Sequence, residues 1–304
     1  MVLVGPTAVG KTGASLAMAE DGSCEIISAD SVQVYKYLDI GSGKPERYDR
    51  ERIRHYLIDV VDPDFPFTAG DFCREARKAA GEIASHGRVP LIVGGTGLYI
   101  DSFFQGLSDI PEIPRDVREV IRKEQAERGL QSLYDELMRV DPGFGSGIHP
   151  HDAQRITRGL EVYRGTGRPL SSYYDCKHRY GSDDTLYLGL HEDRVVLRKR
   201  IDERVDRMFE RGFVDEVRWL RERGYGPELK SMKSIGYGEI NSFIDGKMSM
   251  EETLDAIKTV TKKYAKRQMT WFGKNKRIHW FKINELEGIR NLLQRWLDGR
   301  EAQI

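Results

Sequence analysis

Gly5-Pro6-Thr7-Ala8-Val9-Gly10-Lys11-Thr12 stands almost at the head of the chain and spells G-x-x-x-x-G-K-[ST]. The spacing has a chemical reason. Gly5 and Gly10 allow a tight turn whose successive N–H groups point inward at phosphate oxygens, while Lys11 adds a mobile positive charge. Thr12 offers a hydroxyl to a phosphate-bound Mg²⁺. Apolar Met1 to Val4 precedes the loop as a strand, and Thr12 to Glu20, rich in Ala, Leu and Met, follows as a helix. That strand–loop–helix order aims a helix N-terminus at an anion. A ligand carrying a phosphate chain is therefore expected here.

Working outward, Glu25 to Ser28 reads as a second buried strand that ends at Asp30 and Ser31. A short apolar segment spans Tyr56 to Val61. Thr68 and Asp71 have capping-box spacing at the head of a helix that runs to about His86 and stops at Gly87. Val89 to Val93 is a further strand, followed by Gly94-Gly95-Thr96-Gly97. Strands alternating with helices predict an α/β fold, a P-loop NTPase-like parallel sheet core flanked by helices. From Pro111 the text turns helical: Arg115 to Arg128, Leu130 to Val140 and Ala153 to Tyr163. Leu186 to Leu190 then restores a strand. A helical insertion domain over 112–184 is thus expected within a core made of 1–111 and 185–304. The remainder is helical, from Arg194 to about Arg223 and onward from a Ser249/Glu252 capping box, with a last strand near Arg277 to Phe281.

Composition narrows the class. The 304 residues carry 48 basic and 48 acidic side chains, so net charge alone points to no polyanionic partner. Cys24, Cys73 and Cys176 lie far apart without metal-ligand spacing, which suits a reducing compartment. No apolar run is long enough to span a membrane, and the first strand leaves no room for a leader, so a soluble cytoplasmic protein is expected.

Charge is nevertheless segregated. Lys258 to Lys282 holds nine Lys and Arg and no Asp or Glu, with Tyr264, Trp271, Phe272, His279, Trp280 and Phe281 interleaved. Such a stretch suits an RNA backbone with stacked bases; it equally suits an exposed basic helix face over core aromatics. Arg155, Arg158 and Arg164 form a second basic group. Arg194, Arg198, Arg200 and Arg204 form a third, in which Arg200 and Arg204 are one helical turn apart. Asp30, at the carboxyl end of a strand, is placed to hold Mg²⁺ through water or to take a proton, or else only to cap its own loop. His149 and His151 flank Pro150 without an evident third metal ligand, and Asp152 reads as a helix cap.

Six ordered runs carry a resemblance: GPTAVGKT (Gly5–Thr12), ISADSVQVYKYLDIGSGKP (Ile27–Pro45), VGGTGLY (Val93–Tyr99), IHPHDAQRITRGLEVY (Ile148–Tyr163), SIGYGE (Ser234–Glu239) and AKRQMTWF (Ala265–Phe272). Together they resemble the bacterial tRNA dimethylallyltransferases, also called tRNA isopentenyltransferases. The chain departs from that pattern at His151, where Asn is more usual, and at Gly238, where Arg often follows the Gly-Tyr pair. The resemblance implies transfer of a dimethylallyl group from dimethylallyl diphosphate to the exocyclic amine of the adenosine 3′ of the tRNA anticodon. It assigns Gly5 to Thr12 and Arg200 to the diphosphate, Thr12 to Mg²⁺ as the cofactor, and Asp30 to the general base, with Thr7 and Lys11 at the same centre. Ser31, Val32, Gln33 and Thr96 would surround the flipped-out adenosine. Arg118, Gln154, Arg155, Ile156, Thr157, Arg158 and Lys233 would contact the anticodon stem-loop. Apart from the resemblance, a monomer is expected, and the short apolar runs exclude membrane association. The rival classes are a P-loop small-molecule kinase, which needs no basic, aromatic tail, an adenylate isopentenyltransferase, against which the insertion and the tail both speak, and a non-enzymatic RNA-binding module, in which the P-loop beside Asp30 has no purpose.

Overall fold

The computed structural model describes residues 1–20, 22–106, 110–176 and 184–301. Its elements run β1 (Val2–Val4), α1 (Lys11–Ala19), β2 (Cys24–Ala29), α2 (Arg47–Arg52), β3 (His55–Tyr56), α3 (Ala69–Ser85), β4 (Val89–Gly94), α4 (Gly97–Gln105), α5 (Arg115–Val140), α6 (Pro142–Gly145) and α7 (Ala153–Thr166). Then follow β5 (Tyr187–Leu190), α8 (Arg194–Glu210), α9 (Phe213–Glu222), α10 (Tyr237–Ile244), α11 (Met250–Phe272), β6 (His279–Phe281) and α12 (Leu286–Glu301). Contacts divide the chain into two compact units, Met1–Phe103 with Gly181–Ile304, and Phe104–Tyr180. The sequence pattern alone puts these seams at 112 and 184.

In the first unit all six strands are parallel, in the order β3-β2-β4-β1-β5-β6. Strands covered on both faces read as continuous apolar runs rather than alternating ones, and β1, β2 and β5 are buried along their whole length. Leu3, Ile26, Leu91 and Leu188 of the sheet meet Ala14 and Met18 of α1, Ile201 of α8 and Ile289 of α12 in one core. Glu25 is the charged exception in β2. Its carboxylate is held by Arg88 and by the Tyr56 hydroxyl at 3.0 Å, which satisfies the burial.

Helix boundaries follow local chemistry. The Thr68/Asp71 and Ser249/Glu252 capping boxes both form, opening α3 and α11. The helix expected from Arg194 to Arg223 is two helices, because Gly212 adopts φ 90° and stops the first. A left-handed residue cannot continue a right-handed helix.

The second unit is helical. Gly129 (φ 76°, ψ 163°) breaks α5 between the two expected segments. Ile121, Leu133, Leu137, Ile148, Ile156 and Leu160 form its core. Asp141, 1% exposed, caps α6 through the Phe144 N–H and also accepts the Ser171 N–H at 2.9 Å.

Candidate active site

The P-loop leaves the carboxyl end of β1, the middle of the sheet's ligand-binding edge. Gly5 must be glycine, since a Cβ there would lie 2.6 Å from the Leu190 carbonyl oxygen. Ala8 (φ 64°) and Gly10 (φ 109°) turn the loop back on itself. α1 starts at Lys11 with no side-chain cap and no acidic residue in its first turn. Its first N–H groups therefore remain available to an anion. The Lys11 ammonium donates to the carbonyls of Gly5 (2.9 Å) and Pro6 (2.7 Å).

A cavity of about 600 Å³ opens beside this loop. Lys11, Arg200, Arg204, Arg207, Lys233 and Arg267 supply six cations to its wall, and Asp30 is its one carboxylate among the described residues. That imbalance calls for a polyanion. Val32, Val205, Met208, Phe213, Ile235 and Ile257 give it an apolar side as well. Burial and the neighbouring Arg204 push the Lys11 ammonium down to about 7, against the pull of Asp30. Burial likewise lowers Arg204, again opposed by Asp30. Two desolvated cations facing one carboxylate form a site that binding of phosphate charge would relax.

Asp30 caps its own loop with one carboxylate oxygen and leaves the other unengaged. Its Oδ1 accepts the N–H groups of Val32 (2.8 Å) and Gln33 (3.2 Å), the loop cap that a turn carboxylate commonly makes. No donor among the described residues engages Oδ2. Thr96 braces the same loop from behind, its hydroxyl accepting the Ser31 N–H at 3.2 Å. The Gln33 amide spans Ser28 (2.9 Å) and Gly43 (3.3 Å). It lines the cavity while acting as a strut.

Sequence reasoning gave no site role to three positions. Gln268, 5% exposed on α11, accepts the Thr7 N–H at 2.8 Å and donates to the Gly95 carbonyl at 2.9 Å, clamping the P-loop to the turn after β4. It lies inside AKRQMTWF, but nothing in the run marks it out. Tyr264 lines the cavity beside Asp30. Burial and that carboxylate raise its phenol to about 12, so it stays protonated. Arg204, one of a recognised basic group, faces the cavity without a carboxylate partner among the described residues. Its neighbour Arg200, which the resemblance nominated for the diphosphate, is paired with Glu192 at 3.0 Å. One helical turn separates a committed arginine from an available one.

The proposed RNA contacts of the second unit lie on α5 and α7. Arg118 and Arg158 both reach Glu161, at 3.5 and 3.4 Å, and Arg155 pairs with Asp152. Ile156 is fully buried, so its side chain belongs to the core of that unit and is not available to RNA. The Thr157 hydroxyl donates to the Ala153 carbonyl at 2.8 Å, and Gln154 is exposed. Asp152 caps α7, as expected. His149 and His151 approach each other, but no group of three metal-ligating side chains exists among the described residues.

A P-loop on an all-parallel sheet, with one carboxylate among the described residues set against clustered cations, is an α/β architecture suited to an anionic ligand. Known proteins narrow this. The IPP transferase family model matches residues 33–276, and the Isopentenyl transferase model matches residues 1–63. The tRNA dimethylallyltransferase of Syntrophobacter fumaroxidans is 44% identical over 292 residues, 95% of this chain and 85% of that one. Its counterpart in Geobacter sulfurreducens is 42% identical over 282 residues, 92% and 90% of the two chains. The crystal structure of the tRNA isopentenylpyrophosphate transferase of Bacillus halodurans superposes with a TM-score of 0.73 at 34% identity, covering 99% of this chain and 97% of that one. A eukaryotic dimethylallyltransferase acting on tRNA gives 0.76 at 31% identity, covering 89% and 69%. The chain belongs to the IPP transferase family.

Proposed function

We propose that this protein transfers the dimethylallyl group of dimethylallyl diphosphate to N6 of the adenosine 3′ of the anticodon in tRNA, acting in the cytoplasm. The observation that carries this is the cavity's make-up: an apolar side, six cations and one carboxylate with an unengaged oxygen. The P-loop N–H groups, Lys11 and Arg204 hold the diphosphate. The C–O bond to the allylic carbon breaks, the diphosphate takes the bonding pair, and N6 bonds to that carbon. Asp30 Oδ2 receives the proton that N6 loses. The Thr12 hydroxyl, a hard oxygen donor at the head of α1, would hold Mg²⁺ there. When bound, Mg²⁺ adds neutralisation of the leaving diphosphate. A kinase would employ the same P-loop differently, and β4 ends at Gly94, followed by Gly95-Thr96, without the acidic residue that a nucleotide-hydrolysing enzyme often places there.

The test is incubation with labelled dimethylallyl diphosphate, Mg²⁺ and unmodified tRNA, with AMP and ATP in parallel. Label entering tRNA supports the proposal. Label entering AMP alone, or ATP turnover without alkylation, overturns it.

A further inference from the structure

Aromatic surface is exposed at a second place on the first unit. Tyr37 is 41% exposed and Trp219 37% exposed. Their ring centroids are 5.5 Å apart, and Tyr225 lies 6.4 Å from Tyr37 with the two planes only 27° apart. The Arg223 guanidinium sits 4.0 Å over the Trp219 ring and has no carboxylate partner among the described residues. Tyr37 holds φ 68°, a left-handed conformation that a bulky residue adopts only when its surroundings enforce it.

What enforces it also ties the patch to the cavity. Glu216 on α9 accepts the N–H groups of Asp39 (3.1 Å), Ile40 (2.7 Å) and Gly41 (3.3 Å), two to four residues after Tyr37. Its carboxylate also accepts the Tyr237 hydroxyl at 2.7 Å. Gly41, Ser42 and Gly43 line the cavity, and so does Phe213, at the start of α9. Trp219 follows Phe213 by six residues, about 9 Å along the helix axis at 1.5 Å per residue. One rigid loop and one helix thus carry the cavity wall at one end and the aromatic patch at the other.

We infer that Tyr37, Trp219, Tyr225 and Arg223 form a stacking platform for an unpaired nucleotide of the RNA substrate next to the acceptor adenosine. The inference rests on the proposed RNA acceptor. Planar rings and a stacked guanidinium with free N–H edges offer what an unstacked base and its phosphate require. Asp62 and Asp64 stand near Tyr225. Asp62 is paired with Lys36 at 3.3 Å, and the Arg223 guanidinium on Trp219 is the cation placed to meet the nucleotide's phosphate. Continuity with the acceptor cavity favours RNA over a protein partner, which would have no need of that alignment.

The experiment uses the full chain and a fluorescently labelled anticodon stem-loop containing the acceptor adenosine. Trp219→Ala and Arg223→Ala should each weaken RNA binding about tenfold, in the range for removal of one base–aromatic stack. The KM for tRNA should rise in parallel, while the KM for dimethylallyl diphosphate and kcat stay within about twofold. Trp219→Phe should retain near-normal RNA affinity. Tyr37→Gly, which relieves the positive φ, should fold normally and still bind RNA less well. Unchanged RNA affinity in Trp219→Ala and Tyr37→Gly overturns the platform, as does self-association through the patch with RNA binding unaffected. Should the wild-type protein bind the stem-loop without alkylating it, and Trp219→Ala still lose that binding, the proposed reaction falls and the platform stands. Alkylation with an unchanged KM for tRNA in the variants overturns the platform and leaves the reaction standing.

Discussion

At the scale of single residues, the cavity holds charges that burial disfavours. Lys11 titrates near 7 in the free protein because burial and Arg204 outweigh Asp30. A bound diphosphate favours the ammonium, so its pKa must rise on binding, and binding takes up a proton between the two values. Affinity for dimethylallyl diphosphate therefore falls as pH climbs above about 7. Calorimetric titration at pH 8 in buffers of different ionisation enthalpy should show proton uptake in the wild type and little in Lys11→Met; equal uptake in both would assign the proton elsewhere. The same shift bears on folding. Between about 7 and the ordinary 10.5 the unfolded chain binds this proton more tightly, so Lys11 contributes a rise in stability with pH across that window. Asp30→Asn keeps an oxygen for the Val32 and Gln33 N–H groups but removes the base. We expect kcat to fall about 10²- to 10⁴-fold with tRNA affinity within a few-fold, and a large affinity loss with chemistry intact would make Asp30 a binding residue. Arg204→Gln should raise the KM for the diphosphate far more than Arg200→Gln, since Arg200 is already committed to Glu192. Equal effects would mean that the Glu192 pair opens on binding.

Among elements, α11 matters most to the site, although it lies more than two hundred residues from the P-loop in sequence. Through Gln268 it fixes the Thr7 N–H and the Gly95 carbonyl, joining the loops after β1 and β4. Gln268→Leu leaves both backbone groups without that partner, and a buried unpaired polar group costs about 1–3 kcal/mol. Urea unfolding should show a loss of that order, accompanied by weaker diphosphate binding because the P-loop is no longer held. A stability within 0.5 kcal/mol of wild type, roughly the limit for neutral surface changes, would show that water replaces the amide without penalty. Legibility also varied by element. Thr68/Asp71 and Ser249/Glu252 announced α3 and α11 because a capping box is satisfied within four residues. The split between α8 and α9 turned on the positive φ of Gly212, and glycine's tolerance of that conformation does not compel it.

For the whole molecule, segregated charge is the feature that sequence and structure divide between them. Of the basic stretch, Lys258 pairs with Asp206 at 2.6 Å and Lys262 with Asp202 at 2.5 Å, both partners on α8. Lys263 and Lys266 are exposed. Neutralising Lys263 and Lys266 should reduce the salt slope of RNA binding by about one for each phosphate left without its cation, and neutralising Lys258 should change it little. Equal slopes for both variants would show that the α8 carboxylates leave the lysines free to bind RNA. The interleaved aromatics divide similarly. Phe272 is buried and helps to hold α11 in place, whereas Trp271 is exposed, its indole donating to Asp101 at 2.8 Å. Tyr37 and Trp219, from unrelated parts of the sequence, are exposed rings that the basic stretch does not contain.

Gly5 to Thr12 by itself determined the phosphate-binding loop, its strand and its helix, because backbone geometry, charge and helix dipole there are local properties. The apolar runs determined a parallel sheet, and six ordered motifs determined the family. The tertiary structure decided which of Arg200 and Arg204 is available. It also set the clamp at Gln268, withdrew Ile156 to the core of its unit, and brought Tyr37 against Trp219. Each of these depends on which side chain meets which across long separations in sequence. A P-loop raises the expectation of a phosphate ligand; only the packed fold sets cations, an apolar wall and, among the described residues, one unengaged carboxylate oxygen around a single cavity.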